Sequence, residues 1–196
     1  MPNGIIVFGA NGSGKSTIGR ELARVLNYKF MDHEDYAFEK SEIPYTVERS
    51  REECLRLMLA DINEYGSFVL CAVTGDFCEE ISSLYDFAVY LSAPHEIRME
   101  RIKQRAFERY GERVLEGGDM VERQTAFLDF AAKRPLTRIE QWAKTLVCPV
   151  MQVDTTKPVF ENVELIAEQY FKNAGRGIPD APLFKSSCND GFLANG

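Results

Sequence analysis

The chain has 196 residues, 45% of them hydrophobic and 27% charged, and carries a formal net charge of -7 from 30 acidic and 23 basic residues. That length and hydrophobic content allow one substantial core, while the negative balance argues against broad nonspecific binding to DNA or RNA. No apolar run is long enough to span a bilayer, and the opening Met-Pro-Asn-Gly leads into an apolar strand rather than a signal peptide. Five cysteines (Cys54, Cys71, Cys78, Cys148 and Cys188) are odd in number and lack Cys-x-x-Cys spacing, so they read as reduced thiols in a cytoplasmic protein.

Residues 5–8, Ile-Ile-Val-Phe, are continuously apolar and rich in β-branched residues, and they run into Gly9-Ala10-Asn11-Gly12-Ser13-Gly14. This pattern predicts a buried strand feeding a tight loop. After Lys15, the residues Ile18, Leu22, Val25 and Leu26 share one helical face. Residues 28–31 are expected as the second strand, with the acidic cluster Asp32-His33-Glu34-Asp35 at its carboxyl end. A loop containing Pro44 then precedes a helix whose apolar face holds Leu55, Met58, Leu59 and Ile62, and Gly66 separates it from a strand at 68–73.

A strand at 87–91 precedes an arginine-rich helix that starts at Pro94. Gly111, Gly117 and Gly118 interrupt the helical pattern over 110–119, which reads as a mobile lid, before Phe127, Leu128 and Ala131 resume it. Trp142 and Leu146 suggest a further helix, residues 150–153 the last strand, and Val163, Ile166, Ala167 and Tyr170 the last helical face. The alternation implies an α/β fold with a parallel sheet of about five strands, helices on both faces and an arginine-rich lid, a three-layer sandwich. One domain over 1–173 is expected, with an acceptor region near 33–63 and a lid near 105–120. Residues 174–196, rich in Gly, Ser and Asn, read as a flexible extension.

Gly9 to Ser16 satisfies the full G-x-x-x-x-G-K-S phosphate-loop pattern, set between a strand and an amphipathic helix as the motif requires. The glycines let backbone N–H groups turn toward phosphate oxygens, and the helix presents its positive dipole end to the same anion. Gly9, Asn11, Gly12, Ser13, Gly14, Lys15, Ser16 and Thr17 are thus expected to hold ATP, with Lys15 at the β and γ phosphates and Ser16 on Mg²⁺. A dinucleotide fold competes poorly, because no ribose-binding acid follows at the expected spacing.

In its order of motifs the chain resembles, over residues 4 to about 172, the nucleoside-monophosphate-kinase-like branch of P-loop kinases, particularly shikimate, gluconate and adenylate kinases. The resemblance implies the P-loop NTPase fold and ATP- and Mg²⁺-dependent transfer of a phosphoryl group to a small-molecule acceptor. It implies that Asp32, the first acid of an Asp-x-Asp element, supports Mg²⁺ and the acceptor. The second position holds Glu34, with Asp35 beyond, and the likeness of Asp35-Tyr36 to nucleoside-kinase motifs favours Asp35 as the base, Asp32 and Glu34 remaining alternatives. Asp76, which follows strand three, is a second metal candidate.

Arg49 with Glu52 matches an Arg-x-x-Glu element that meets a substrate carboxylate in shikimate kinases, a surface ion pair being the alternative. The resemblance also places Arg101 near adenine, Arg105 near the transferred phosphate, with Arg109 or Arg113 in reserve, and Thr155 and Thr156 against the base, where Thr156 and Pro158 can equally start the final helix. A second class of function is a P-loop ATPase or nucleotide-dependent switch with no metabolite acceptor.

Overall fold

The computed structural model describes residues 2–175. Most of the expected flexible extension, together with Cys188, therefore lies outside the described residues. Five strands form one sheet: β1 (Asn3–Gly9), β2 (Lys29–Asp32), β3 (Ser67–Ala72), β4 (Tyr85–Ser92) and β5 (Val150–Asp154). Their order is β2-β3-β1-β4-β5 and every pairing is parallel. The helices are α1 (Lys15–Leu26), α2 (His33–Ala37), α3 (Arg51–Tyr65), α4 (Glu79–Ser82), α5 (His95–Tyr110), α6 (Val121–Lys133), α7 (Leu136–Ala143) and α8 (Val159–Asn173). A 3₁₀ turn at Gly111–Val114 joins α5 to α6.

β1 is central, and Ile5, Ile6, Val7 and Phe8 have no solvent exposure. Because side chains alternate along a strand, Ile5 and Val7 join Leu22, Val69, Ile166 and Tyr170 on one face, beneath α1 and α8. Ile6 and Phe8 join Met31, Met58, Ile62, Leu70 and Ile139 on the other, with α3 and α7. Burying one such side chain is worth roughly 1.5–3 kcal/mol. This accounts for the uninterrupted apolar run: a parallel strand covered on both faces has no side that may be polar.

Two short elements differ from the sequence expectation. The acidic cluster is helical: Asp32 caps α2 by accepting from the Glu34 backbone N–H at 3.3 Å. The final helix takes Pro158 as its N-cap, while Thr156 sits in the preceding turn, donating its backbone N–H to Asp154 Oδ1 at 2.9 Å. The helix break after α5 falls where the glycines placed it, Gly111 adopting φ 59°. The turn is pinned by a two-pronged Arg113–Asp119 pair at 2.9 and 2.7 Å.

Candidate active site

β1, β2 and β3 end side by side, and the loop from β1 to α1 lies across their carboxyl ends, where open parallel sheets bind ligands. Gly12 and Gly14 have φ of 78° and 90°. A Cβ on Gly12 would lie 2.4 Å from the Arg98 carbonyl oxygen, so both backbone conformation and space demand glycine there. Within the loop Ser13 and Asn11 are buried, and Ser13 Oγ has no hydrogen-bond partner among the described residues.

The ammonium of Lys15 donates to the Ala10 carbonyl at 3.0 Å, bending over the loop it belongs to. Burial lowers its pKa, opposed by Glu34, Cys71 and Asp32. An incoming phosphate would supply the anion that the enclosed ammonium favours. Ser16 Oγ donates to Asp32 Oδ2 at 2.5 Å, which brings the two expected metal residues together from α1 and the end of β2. Two hard oxygen donors suit Mg²⁺, which takes few protein ligands and completes its shell with water and phosphate oxygens. Asp76 is exposed and accepts from Thr74 Oγ1 at 2.5 Å, outside this arrangement. His33 stacks on Phe77 with ring centres 4.7 Å apart.

The turn of α2 separates the neighbouring acids. Glu34 faces the loop; burial, then the charge of Asp32, raises its pKa, while Arg105, Lys15 and Arg109 draw it down. Asp35 is exposed by surface area, yet partial burial, then the charge of Asp32, raises its pKa too, and the cations that draw it down are Arg20 and Lys40, neither from the cleft. Arg49 does not reach the cleft. Its Nη1 donates to the carbonyls of Asp35 at 3.3 Å, Tyr36 at 3.0 Å, and Phe38, closing the carboxyl end of α2. Since a hydrogen bond from a charged group contributes about 1.5–3 kcal/mol, Arg49→Met is expected to lower stability on that scale. Denaturant unfolding checks this, and an unchanged midpoint would refute the capping role.

The arginines of α5 at positions 98, 101, 105 and 109 follow helical spacing and share a face. Arg98, 5% exposed, lies under the loop and donates to the Asn11 carbonyl at 3.2 Å. Arg101 donates to Thr155 Oγ1 at 3.0 Å and Thr155 O at 2.6 Å, tying α5 to the turn after β5. None of these four enters an ion pair with the intervening glutamates among the described residues.

Three cavities meet along that face. One of about 330 Å³ is bounded by Gly12, Thr17, Arg101, Thr155 and Asn162. A second, about 110 Å³, is bounded by the phosphate loop with Asp32, Glu34 and Cys71. The third, about 250 Å³, lies between the loop after α2 and the helices α5 and α6. Arg105 borders all three, Glu34 borders the second and third, and Asp35, Arg49 and Thr156 border none.

Sequence reasoning placed Arg98 among the lid arginines without a role of its own and did not single out Arg134 or Gln124. Arg134 Nη1 donates to Asn11 Oδ1 at 3.0 Å, so two arginines hold one residue of the phosphate loop. For Arg98 the signal was present in the three- and four-residue spacing to Arg101 and Arg105. For Arg134 no local pattern exists, since its partner Asn11 lies 123 residues away in the chain, and Gln124 carries no local signal either.

The family described as "AAA domain" matches residues 5–125, from β1 into α6. The uncharacterized protein YqaC of Bacillus subtilis is 29% identical over 181 residues, covering 88% of this chain and all of that protein. Shikimate kinase 2 of Syntrophotalea carbinolica is 30% identical over 152 residues, covering 70% of this chain and 84% of that enzyme. Among solved structures, deoxyadenosine kinase from M. mycoides with bound dATP superposes with a TM-score of 0.53 at 17% identity, over 86% of this chain and 98% of that one. The chain thus belongs to the AAA domain family, within the nucleoside-monophosphate-kinase-like branch of P-loop small-molecule kinases.

Proposed function

We propose that the protein transfers the γ-phosphoryl group of ATP, with Mg²⁺, to a small acceptor seated in the 250 Å³ cavity. The observation that carries this reading is the junction at Arg105, the residue common to the three adjoining cavities. They are suited in turn to a nucleoside, its phosphates and an acceptor. A nucleotide-dependent switch needs no third chamber joined to the phosphate site.

In this reading, Arg101 and Thr155 border the nucleoside, and the loop amides with Lys15 hold the phosphates. Ser16 and Asp32 would hold Mg²⁺, which neutralises phosphate charge when bound. Arg105 offsets charge developing on the transferred group. Glu34, rather than the exposed Asp35, receives a proton from a hydroxyl acceptor, because it alone of the two borders both the phosphate and acceptor cavities. Residues 105–120 close over the cleft as a lid. The four described cysteines are free thiols, in keeping with a cytoplasmic setting, and no helix among the described residues is long and apolar enough to cross a membrane.

A metabolite screen coupled to ADP release tests the assignment: at least one small acceptor should raise ADP formation, and ATP turnover indifferent to every acceptor would favour the switch. Ser16→Ala should shift magnesium dependence to higher concentrations, because one oxygen donor is lost. ATP with Mg²⁺ should slow hydrogen exchange over 105–120 in the unsubstituted protein and do so less in Ser16→Ala. An unaltered magnesium titration would remove Ser16 from the metal site, and unaltered exchange despite bound nucleotide would remove the lid.

A further inference from the structure

The walls of the third cavity narrow the class of acceptor, given the kinase reading on which this inference rests. Four rings border it: Phe38 and Tyr45 from the loop after α2, Tyr110 at the end of α5, and Phe127 on α6. Phe38 and Tyr45 meet edge to face at 5.6 Å. Between them Ile102, Ala106, Val114 and Met120 offer no side-chain donor and no acceptor stronger than the Met120 thioether.

Tyr45 sits at φ 64°, in the left-handed region that a residue with a Cβ seldom occupies. It is held there from across the cavity: Arg123 Nη2 donates to the carbonyls of Pro44 at 3.1 Å and Tyr45 at 3.4 Å. The guanidinium of Arg109 lies 5.4 Å from the centre of the Tyr45 ring. Strained positions of this kind persist where surrounding structure over-determines them, commonly at ligand clamps.

The polar side chains at its border are Glu34, which is shared with the phosphate cavity, the cations Arg105, Arg109 and Arg123, the hydroxyls of Tyr45 and Tyr110, and Gln124. The Gln124 side-chain nitrogen is buried with no hydrogen-bond partner among the described residues. An amide left so costs roughly 1–3 kcal/mol, which a bound oxygen acceptor would recover.

We propose that the acceptor is a small anion, carboxylate or phosphate, borne on a flat and largely apolar ring, and that Gln124 selects it by donating to an oxygen of that ligand. The rings would flank the body, and Arg109 would hold the anionic group by charge-assisted hydrogen bonds. A polyhydroxylated acceptor fits poorly, because each hydroxyl buried among these walls without a partner costs about 1–3 kcal/mol. In the transfer, an oxygen of the acceptor bonds to the γ-phosphorus as the bond to the β–γ bridging oxygen breaks. The electron pair leaves with ADP, and a hydroxyl acceptor's proton goes to the Glu34 carboxylate. A phosphate acceptor attacks through an oxygen that is already ionised.

Calorimetric titration into protein saturated with the non-hydrolysable analogue AMP-PNP and Mg²⁺ tests this. The ring-borne probes are 4-(hydroxymethyl)benzoate for carboxylate and benzyl phosphate for phosphate. The polyol probes, which carry the same anionic groups on hydroxylated open chains, are gluconate and glycerol 3-phosphate. At least one ring-borne anion should bind about tenfold or more tightly than either polyol, with the stronger of the two identifying the anionic group. Gln124→Leu should weaken that probe by about tenfold, the loss of one hydrogen bond. Its thermal midpoint should not fall, since an orphaned amide is replaced by an apolar group, and this separates lost recognition from lost folding.

A polyol preference, comparable weak binding of all four probes, or full retention of the ring-borne probe by Gln124→Leu would overturn the inference while AMP-PNP binding left the kinase reading standing. Failure of AMP-PNP itself to bind would overturn both.

Discussion

Lys15→Ala is expected to cut acceptor-dependent ADP formation by about 10²–10³-fold, the usual cost of removing one donor aimed at developing charge in an enclosed site. Among the described residues the ammonium donates to the Ala10 carbonyl at 3.0 Å, and burial lowers its pKa. A loop carbonyl is a weak substitute for a triphosphate, so nucleotide should draw the ammonium off it and restore its preference for the charged form. ATP affinity measured by calorimetry should weaken as well. The fold should survive, because Lys15 belongs to neither apolar cluster. Unchanged ATP binding together with unchanged turnover would sink the assignment of this loop.

Glu34→Gln should lower turnover on a hydroxyl acceptor by about 10²–10⁴-fold, the range for losing a positioned general base, while leaving ATP affinity near its starting value. Asp35→Asn should have a much smaller effect, since Asp35 is exposed and borders none of the three cavities. The pH profile gives an independent reading. Burial and the charge of Asp32 raise the Glu34 pKa above the usual glutamate value. The ionised form that accepts the proton is therefore lost earlier as pH falls, and the acidic limb of kcat/KM should lie above that value. In Glu34→Gln that limb should vanish from the residual activity. If Asp35→Asn rather than Glu34→Gln erased both turnover and limb, the base would have to be reassigned to Asp35.

Several parts of this architecture are legible in the chain itself because their causes are local. The apolar run at Ile5 to Phe8 requires a strand covered on both faces, as found. The phosphate loop is specified by glycines at positions where a Cβ meets backbone or φ turns positive, with Lys15 and Ser16 following at fixed offsets. Ser16 and Asp32, 16 residues apart, meet at 2.5 Å because β2 ends beside the loop; the phosphate-loop pattern pointed to Ser16, and only family resemblance pointed to Asp32. Arg49, whose motif match pointed to a substrate, has its guanidinium on the carbonyls that end α2, a placement no local pattern signals.

By itself, then, the sequence determined the strand–loop–helix that can hold phosphates, the alternation of strands and helices, and an arginine-rich α5, all products of short-range periodicity and backbone sterics. Only the tertiary structure decided which neighbours face the cleft. Successive helical residues rotate by about 100°, so α2 turns Glu34 inward and leaves Asp35 exposed, although the two are adjacent in the chain. The same holds for Gln124 and Arg123 on α6: whether each meets a carbonyl, a ligand or nothing depends on a loop some 80 residues earlier, brought near by packing that no local pattern encodes.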